Sequence, residues 1–299
     1  VTPPIAAVVG QLARDLVLTV EAVPEGGAAA DAGERREQLG GKGANQAVAL
    51  AQFGVRPKLI AVAGDDTIGD VLLGQARADG IDTTGVVRRR GSLTGLIVEV
   101  LEADGTWRYL QHLPEPVLLT RRDVEAARAL IEGAGAVVVQ LQQPAEATLA
   151  AAGMGRQAGA LIVLDGVPEE SHLATADVIR ADEQEAGLLL GGAATVDKAR
   201  ALLDKGPKLL ALGVDDGNLF VWADGHLHLP LTTEKVVDTT GGGDAFTAAL
   251  TAALLRGEDY PAAARWAVAA SGATVGHPSG RPSLRTEELE KRVRELAGE

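Results

Sequence analysis

The chain has 299 residues, is 46% hydrophobic, and sets 28 Lys and Arg against 41 Asp and Glu, a formal net charge of -13. That length and apolar content suit one large α/β unit with a substantial core, and the acidic balance argues against nucleic acid or an anionic membrane surface as the main partner. With no cysteine, disulfides, thiolate catalysis and cysteine-held zinc or iron-sulfur sites are excluded.

In chain order, "IAAVVG" (Ile5 to Gly10) reads as a first buried strand, because it is apolar on both faces. Leu16 to Leu39 follows with half-polar, strand-like alternation around the "PEGG" turn, and then a helix is expected over Ala44 to Phe53. A buried strand in "KLIAVAG" precedes a helix over Thr67 to Ala78, and Thr94 to His112 alternates again around the turn "EADG". From there the pattern is regular. A helix over Arg121 to Glu132, the strand "AVVVQL", a helix over Ala145 to Gln157, and the strands "ALIVLDG" and "ADVIRA" come next. Helices over Glu183 to Leu190 and Asp197 to Leu203, the strand "KLLALG" and an exposed hairpin in "ADGHLHLP" complete the series. Strands of this kind alternating with helices predict a doubly wound α/β fold with a mainly parallel sheet. The two half-polar regions, about 16–39 and 94–112, predict a small antiparallel β lid inserted in the N-terminal half of a single domain spanning 1–299. The N-terminal stretch lacks a basic flank and a cleavage-type site, and no run of about 18 apolar residues occurs, so the expected location is cytoplasmic, with no membrane partner.

Two glycine clusters carry the chemistry. In "VVDTTGGGDAFTAALTAALL" (Val236 to Leu255), Gly241, Gly242 and Gly243 stand directly before an Ala- and Leu-rich helix, although glycine costs about 1 kcal/mol against alanine in a helix interior. Bare backbone at a helix N-terminus makes an anion site, and a carboxylate such as Asp244 beside it needs a task, for instance accepting a proton from an attacking hydroxyl. The alternative is a glycine loop with Asp244 as an ordinary N-terminal helix charge. In "LGGKGANQAVALAQFG" (Leu39 to Gly54), Gly40, Gly41 and Gly43 free the backbone while Lys42 and Asn45 supply donors for a polyol. No Ser or Thr follows the lysine, so this is not a P-loop, and the alternative to a polyol site is a tight turn before a helix.

Together the clusters resemble the two signatures of the ribokinase-like carbohydrate kinase family. The first matches along Gly40, Gly41, Gly43, Asn45, Ala47, Gly54 and Gly64, and the second along Asp238 to Thr251. "GGKGANQA" followed by "AGDDTIGD" is similar to the ribokinase branch. The resemblance implies a kinase that moves the γ-phosphate of ATP to the primary hydroxyl of a sugar, best of all ribose, giving ribose 5-phosphate. Asp244 would be the general base, and Gly241, Gly242 and Gly243 the anion hole. Asp15, Gly40, Gly41, Lys42, Gly43, Asn45 and Gln142 would hold the acceptor. Asp182, Leu212, Gly213, Gly217 and Gly243 would face ATP. Glu185 of "DEQE" would organise magnesium through water, and Asp238, Thr240 and Ser283 would hold an activating potassium ion. The lid would pair with a second copy in a homodimer.

Departures from the pattern bear on the acceptor. Ala13 stands where that branch places an asparagine, Gln142 where it places a glutamate, and "LDGVPE" replaces an "NPAP"-like run. Arg35, Arg36 or Gln38 in the lid offers a substitute contact. Two other readings stay open: a kinase for a nucleoside, a hexose or a sugar acid, and a non-catalytic sugar- or nucleotide-binding protein on the same scaffold.

Overall fold

The computed structural model describes residues 2–231, 241–277, 283–284 and 287–298. Among them the strands run β1 (Ile5–Val9), β2 (Ala13–Val20), β3 (Glu34–Gly40), β4 (Arg56–Gly64), β5 (Asp82–Arg89), β6 (Gly95–Glu102) and β7 (Trp107–His112). They continue with β8 (Ala136–Gln140), β9 (Leu161–Asp165), β10 (Val178–Ala181), β11 (Leu209–Val214), β12 (Gly217–Trp222) and β13 (Gly225–Pro230).

Nine strands form one sheet in the order β13-β12-β11-β10-β9-β8-β1-β4-β5. Neighbours from β5 to β11 pair in parallel, and β11, β12 and β13 close the edge as an antiparallel meander. The apolar runs explain the layering. In β1, Ala6 and Val8 enter one core while Ala7 and Val9 enter the other, so both faces must be covered. Helices Lys42–Gln52, Gly242–Leu255 and Tyr260–Val275 contribute to the first core, and Ala145–Gln157, Glu183–Leu190 and Val196–Leu203 to the second. Gly242–Leu255 is buried along nearly its whole length, which its Ala, Thr and Leu residues permit without a polar face.

The expected helices Thr67–Ala78, Ala145–Gln157 and Glu183–Leu190 form with those bounds. The helix expected over Arg121 to Glu132 is two, Arg121–Ala126 and Arg128–Glu132, meeting at Ala127 with φ -90° and ψ 10°. Strand β5, mixed in polarity at the sheet edge, had not been anticipated.

The second sheet has the order β3-β2-β6-β7. Its outer pairs, β2 with β3 and β6 with β7, are antiparallel, as expected of the lid. They are joined by a parallel pairing of β2 with β6, from Ala13 opposite Gly95 to Val20 opposite Glu102. The two insertions therefore form one surface although dozens of residues separate them in the chain.

In the large sheet the chain runs from β1 to β4 and β5 on one side, then returns to add β8 to β11 on the other. Order reverses at β1 and β8. The crevice beyond the carboxyl ends of strands at such a point is where open α/β sheets bind ligands.

Candidate active site

A cavity of about 410 Å³ opens at that crevice. Its floor includes Gln11 just after β1, Gln142 just after β8, and Arg180 and Asp182 at the end of β10. Gly41, Lys42 and Asn45 enter from the start of helix Lys42–Gln52, and Gly241, Gly243 and Asp244 from the start of helix Gly242–Leu255. The lid closes one side with Asp15, Ile97, Glu99, Trp107, Tyr109 and Gln111.

The two glycine clusters thus meet as two helix N-termini. Gly241 is the N-cap of its helix at φ 76° and ψ -6°, a left-handed conformation that side chains disfavour. Asn45 Nδ2 donates to Asp244 Oδ2 at 3.2 Å, across 199 residues of sequence. Gln46 Nε2 donates to Asp244 Oδ1 at 3.3 Å and to Asp165 Oδ2 at 2.7 Å, linking the two carboxylates. Gly40 owes its identity to Asp15, since a Cβ there would lie 1.9 Å from the Asp15 carboxyl carbon. Any side chain at 40 would displace that carboxylate from the cavity wall.

Asp244 is 7% exposed. Burial, and then the nearby charge of Asp165, push its pKa up to about 7, while Lys42, the Asn45 hydrogen bond and Arg180 pull the other way. A carboxylate poised near neutrality and open to a cavity has the properties of a general base.

Arg180, on β10, reaches the helix start beside Asp244. Its Nη1 donates to Asp165 Oδ1 at 3.1 Å and lies 3.9 Å from Glu185 Oε2, and its guanidinium carbon is 5.8 Å from the centre of the Phe246 ring. Burial alone disfavours its charge, but Asp165, Glu185 and Asp182 outweigh that and hold its pKa above the ordinary arginine value.

Asp182 and Glu185 form a capping box on helix Glu183–Leu190. Asp182 Oδ1 accepts from the Glu185 N–H at 2.8 Å, and Glu185 Oε2 accepts from the Asp182 N–H at 2.9 Å. Capping engages one oxygen of each carboxylate; Asp182 lines the cavity, Glu185 lies directly behind it on the same helix start, and both carry hard oxygen donors. That donor set fits magnesium held through water.

Other expected residues are placed differently. Leu212 is fully buried in the core, so its side chain offers no ligand surface. Gly213 and Gly217 belong to the tight β11–β12 hairpin, where Gly213 packs on the backbone of Asp182 and Glu183 and Gly217 on Leu229. Arg35 is engaged with Glu37, and Arg35, Arg36 and Gln38 are not among the cavity's lining residues. The lid contacts come from β2, β6 and β7 instead. Ser283 is not brought to the cavity either: it lines a separate surface hollow with Gln52 and Gly54, at the far end of helix Lys42–Gln52. Asp238 and Thr240 lie outside the described residues.

Sequence reasoning missed Gln46, Asp165 and Arg180. One signal was present, because an arginine inside the buried strand "VIRA" requires a buried anion, and "VLDG" ends the preceding strand with a carboxylate.

Comparison with known proteins gives this arrangement a context. The family model described as pfkB family carbohydrate kinase matches residues 5–287. The ribokinase of Haemophilus influenzae is 27% identical over 295 residues, covering 93% of this chain and 94% of that protein. The deoxyribokinase of Salmonella typhi is likewise 27% identical over 292 residues, covering 93% and 95%. A bifunctional ribokinase/ribose-5-phosphate isomerase A of Fructilactobacillus sanfranciscensis is 30% identical over 259 residues and 83% of this chain, which spans only about half, 48%, of that relative's length. The structure of Arabidopsis thaliana ribokinase complexed with ribose and ATP shares the fold, with a TM-score of 0.81 at 24% identity, covering 98% of this chain and 99% of that one. With the family match running through both glycine clusters and the strands between them, the chain belongs to the pfkB family of carbohydrate kinases, phosphotransferases whose acceptor is an alcohol.

Proposed function

We propose that this chain transfers the γ-phosphate of ATP to the primary hydroxyl of a sugar, with D-ribose, giving ribose 5-phosphate, as the first acceptor to test. One observation carries the reading: the buried carboxylate of Asp244, with a pKa near 7, stands at a glycine-started helix N-terminus in the same cavity as Asp15, Lys42 and Asn45. Asp15 and Asn45 orient the acceptor's hydroxyls, and Asp244 takes the proton of the attacking one. That oxygen forms a bond to the γ-phosphorus as the bond to the bridging oxygen breaks, and ADP leaves with the electron pair. Backbone N–H groups at the start of helix Gly242–Leu255 face the charge on the transferring group. Asp182 and Glu185 would hold magnesium through water, and the metal would neutralise phosphate charge. The names of the relatives, ribokinase and deoxyribokinase, support a pentose acceptor.

A second acceptor class has an observation of its own. Trp107 and Tyr109 pair edge to face, with ring centres 4.7 Å apart, on the lid side of the cavity, and buried Glu99 stands beside them. A flat heterocycle attached to the sugar would stack on such a wall, so nucleosides are the competing acceptors. A dimer formed over the lid belongs to the same proposal, because β3 and β7 are sheet edges and Leu110 on β7 is 67% exposed; light scattering tests it.

The experiment is ADP release with ATP and magnesium, with and without potassium, across ribose, deoxyribose, hexoses, sugar acids and nucleosides. Ribose is expected to give the highest kcat/KM, and Asp244→Asn to lower kcat by roughly 10²- to 10⁴-fold. Full activity in the Asn variant would overturn the base assignment.

A further inference from the structure

Three features of Arg180 are out of place in an ordinary structural ion pair. The first is its position against the helix start. A Cβ added to Gly243 would lie 2.7 Å from Arg180 Nη2 and 3.1 Å from its guanidinium carbon, so the guanidinium covers the bare backbone directly before Asp244. The second is its set of donors. Among the described residues its one hydrogen bond is from Nη1 to Asp165, which leaves Nη2 and Nε, in the same plane, without a partner there. The third is its opening. Its side chain is 14% exposed, and it lines the cavity that holds Asp244 and Lys42.

Charge bookkeeping gives these features a meaning. Lys42 and Arg180 are the cations on the cavity wall, against the carboxylates of Asp15, Glu99, Asp182 and Asp244. A triphosphate entering here meets four carboxylates. Lys42 belongs to the glycine cluster beneath the lid, and Arg180 lies between Asp182 and the N-terminus of helix Gly242–Leu255. Asp165 and Glu185 both pair with Nη1 of the guanidinium, the first by a hydrogen bond and the second as an ion pair at 3.9 Å. Burying an arginine is costly unless it is paired, and here Nη1 is paired while Nη2 stands against the helix start at Gly243. A planar fork held in that way matches two oxygens of a phosphoryl group better than a flexible ammonium does.

We propose that Arg180 is a catalytic residue of the kinase reaction, its guanidinium binding the phosphoryl oxygens during transfer together with the N–H groups at the Gly241–Asp244 helix start. It gives up no proton and supplies hydrogen bonds only. The proposal rests on the kinase reading above, and a binding measurement separates the failure of one from the failure of the other.

Steady-state kinetics are measured for Arg180→Gln, Arg180→Lys and the double variant Asp165→Asn/Arg180→Gln, which keeps the interior neutral should the single change disturb folding. Affinities for ADP and for a non-hydrolysable ATP analogue are measured in parallel by calorimetry. The expected result is a kcat lower by roughly 10²- to 10³-fold in both Gln variants. Acceptor KM should stay within about threefold, Arg180→Lys should keep part of the rate, and the preference for the triphosphate over ADP should fall about tenfold or more. Free guanidinium at tens of millimolar should restore part of the rate to Arg180→Ala, which a structural role would not allow. A folded Gln variant with kcat within threefold of the parent overturns the proposal. If the parent turns over no acceptor, the kinase reading fails; an unchanged triphosphate preference in the Gln variants then also overturns the role of Arg180, and a lost preference keeps it as a phosphate ligand.

Discussion

Asp244 couples activity and stability through one protonation. A base must be ionised to accept a proton, so with its pKa at about 7 kcat should fall about tenfold per unit as pH drops below 7 and level off above it. The stability effect has the opposite sign. The folded-state pKa lies above the ordinary value of 3.8, so ionised Asp244 disfavours the folded state. That penalty is absent below the unfolded value, grows through the window between 3.8 and about 7, and is full above it. Asp244→Asn should therefore raise Tm more at pH 8 than at pH 5, with a ceiling on the order of a few kcal/mol; calorimetry at the two pH values checks this. Asp244 was legible because its glycines are contiguous with it. Gln46, Asp165 and Arg180 were not, since what makes them functional is their mutual placement, and 119 residues separate Gln46 from the carboxylate it holds.

Elements differ in how openly the sequence declares them. Strands apolar on both faces and helices with strong caps are visible because local chemistry decides them, as with helix Thr67–Ala78, whose N-cap Asp66 accepts from the Gly69 N–H. The β2–β6 pairing was not visible. Parallel partners far apart in the chain carry no local signature, and neither does the side of the lid that faces the cavity. Helix Glu183–Leu190 offers a test that separates cap from chemistry. Asp182→Asn keeps a capping side chain and should melt within a degree or two of the parent, whereas Asp182→Ala should lose about 1 kcal/mol. If both variants show the same raised requirement for magnesium, the carboxylate acts on the metal and not only on the helix; titration of activity with magnesium decides. On the lid, Trp107→Ala should lower kcat/KM for any nucleoside acceptor about tenfold while leaving ribose within threefold, because only the larger acceptor reaches the aromatic wall. Equal losses on both would assign Trp107 to holding the lid in shape.

At the scale of the whole molecule, the crevice position follows from strand order. The chain places β4 and β5 on one side of β1 and β8 to β11 on the other, and that reversal sets the switch between β1 and β8. The long-range field is a separate matter. A formal charge of -13 repels an anionic nucleotide before it reaches Lys42 or Arg180. That repulsion acts across the surface and is screened as the Debye length shrinks from ~30 Å at 10 mM salt to ~8 Å at 150 mM. Contacts inside the cavity act at hydrogen-bond distance and are screened far less. KM for ATP should therefore fall as an inert salt such as tetramethylammonium chloride rises over that range at fixed magnesium and potassium, while KM for a neutral sugar stays level. A rise in the ATP KM would mean that attraction to Lys42 and Arg180 outweighs the repulsion of the acidic surface. Repeating the titration with Arg180→Gln then distinguishes the two fields, because only the local one depends on that side chain.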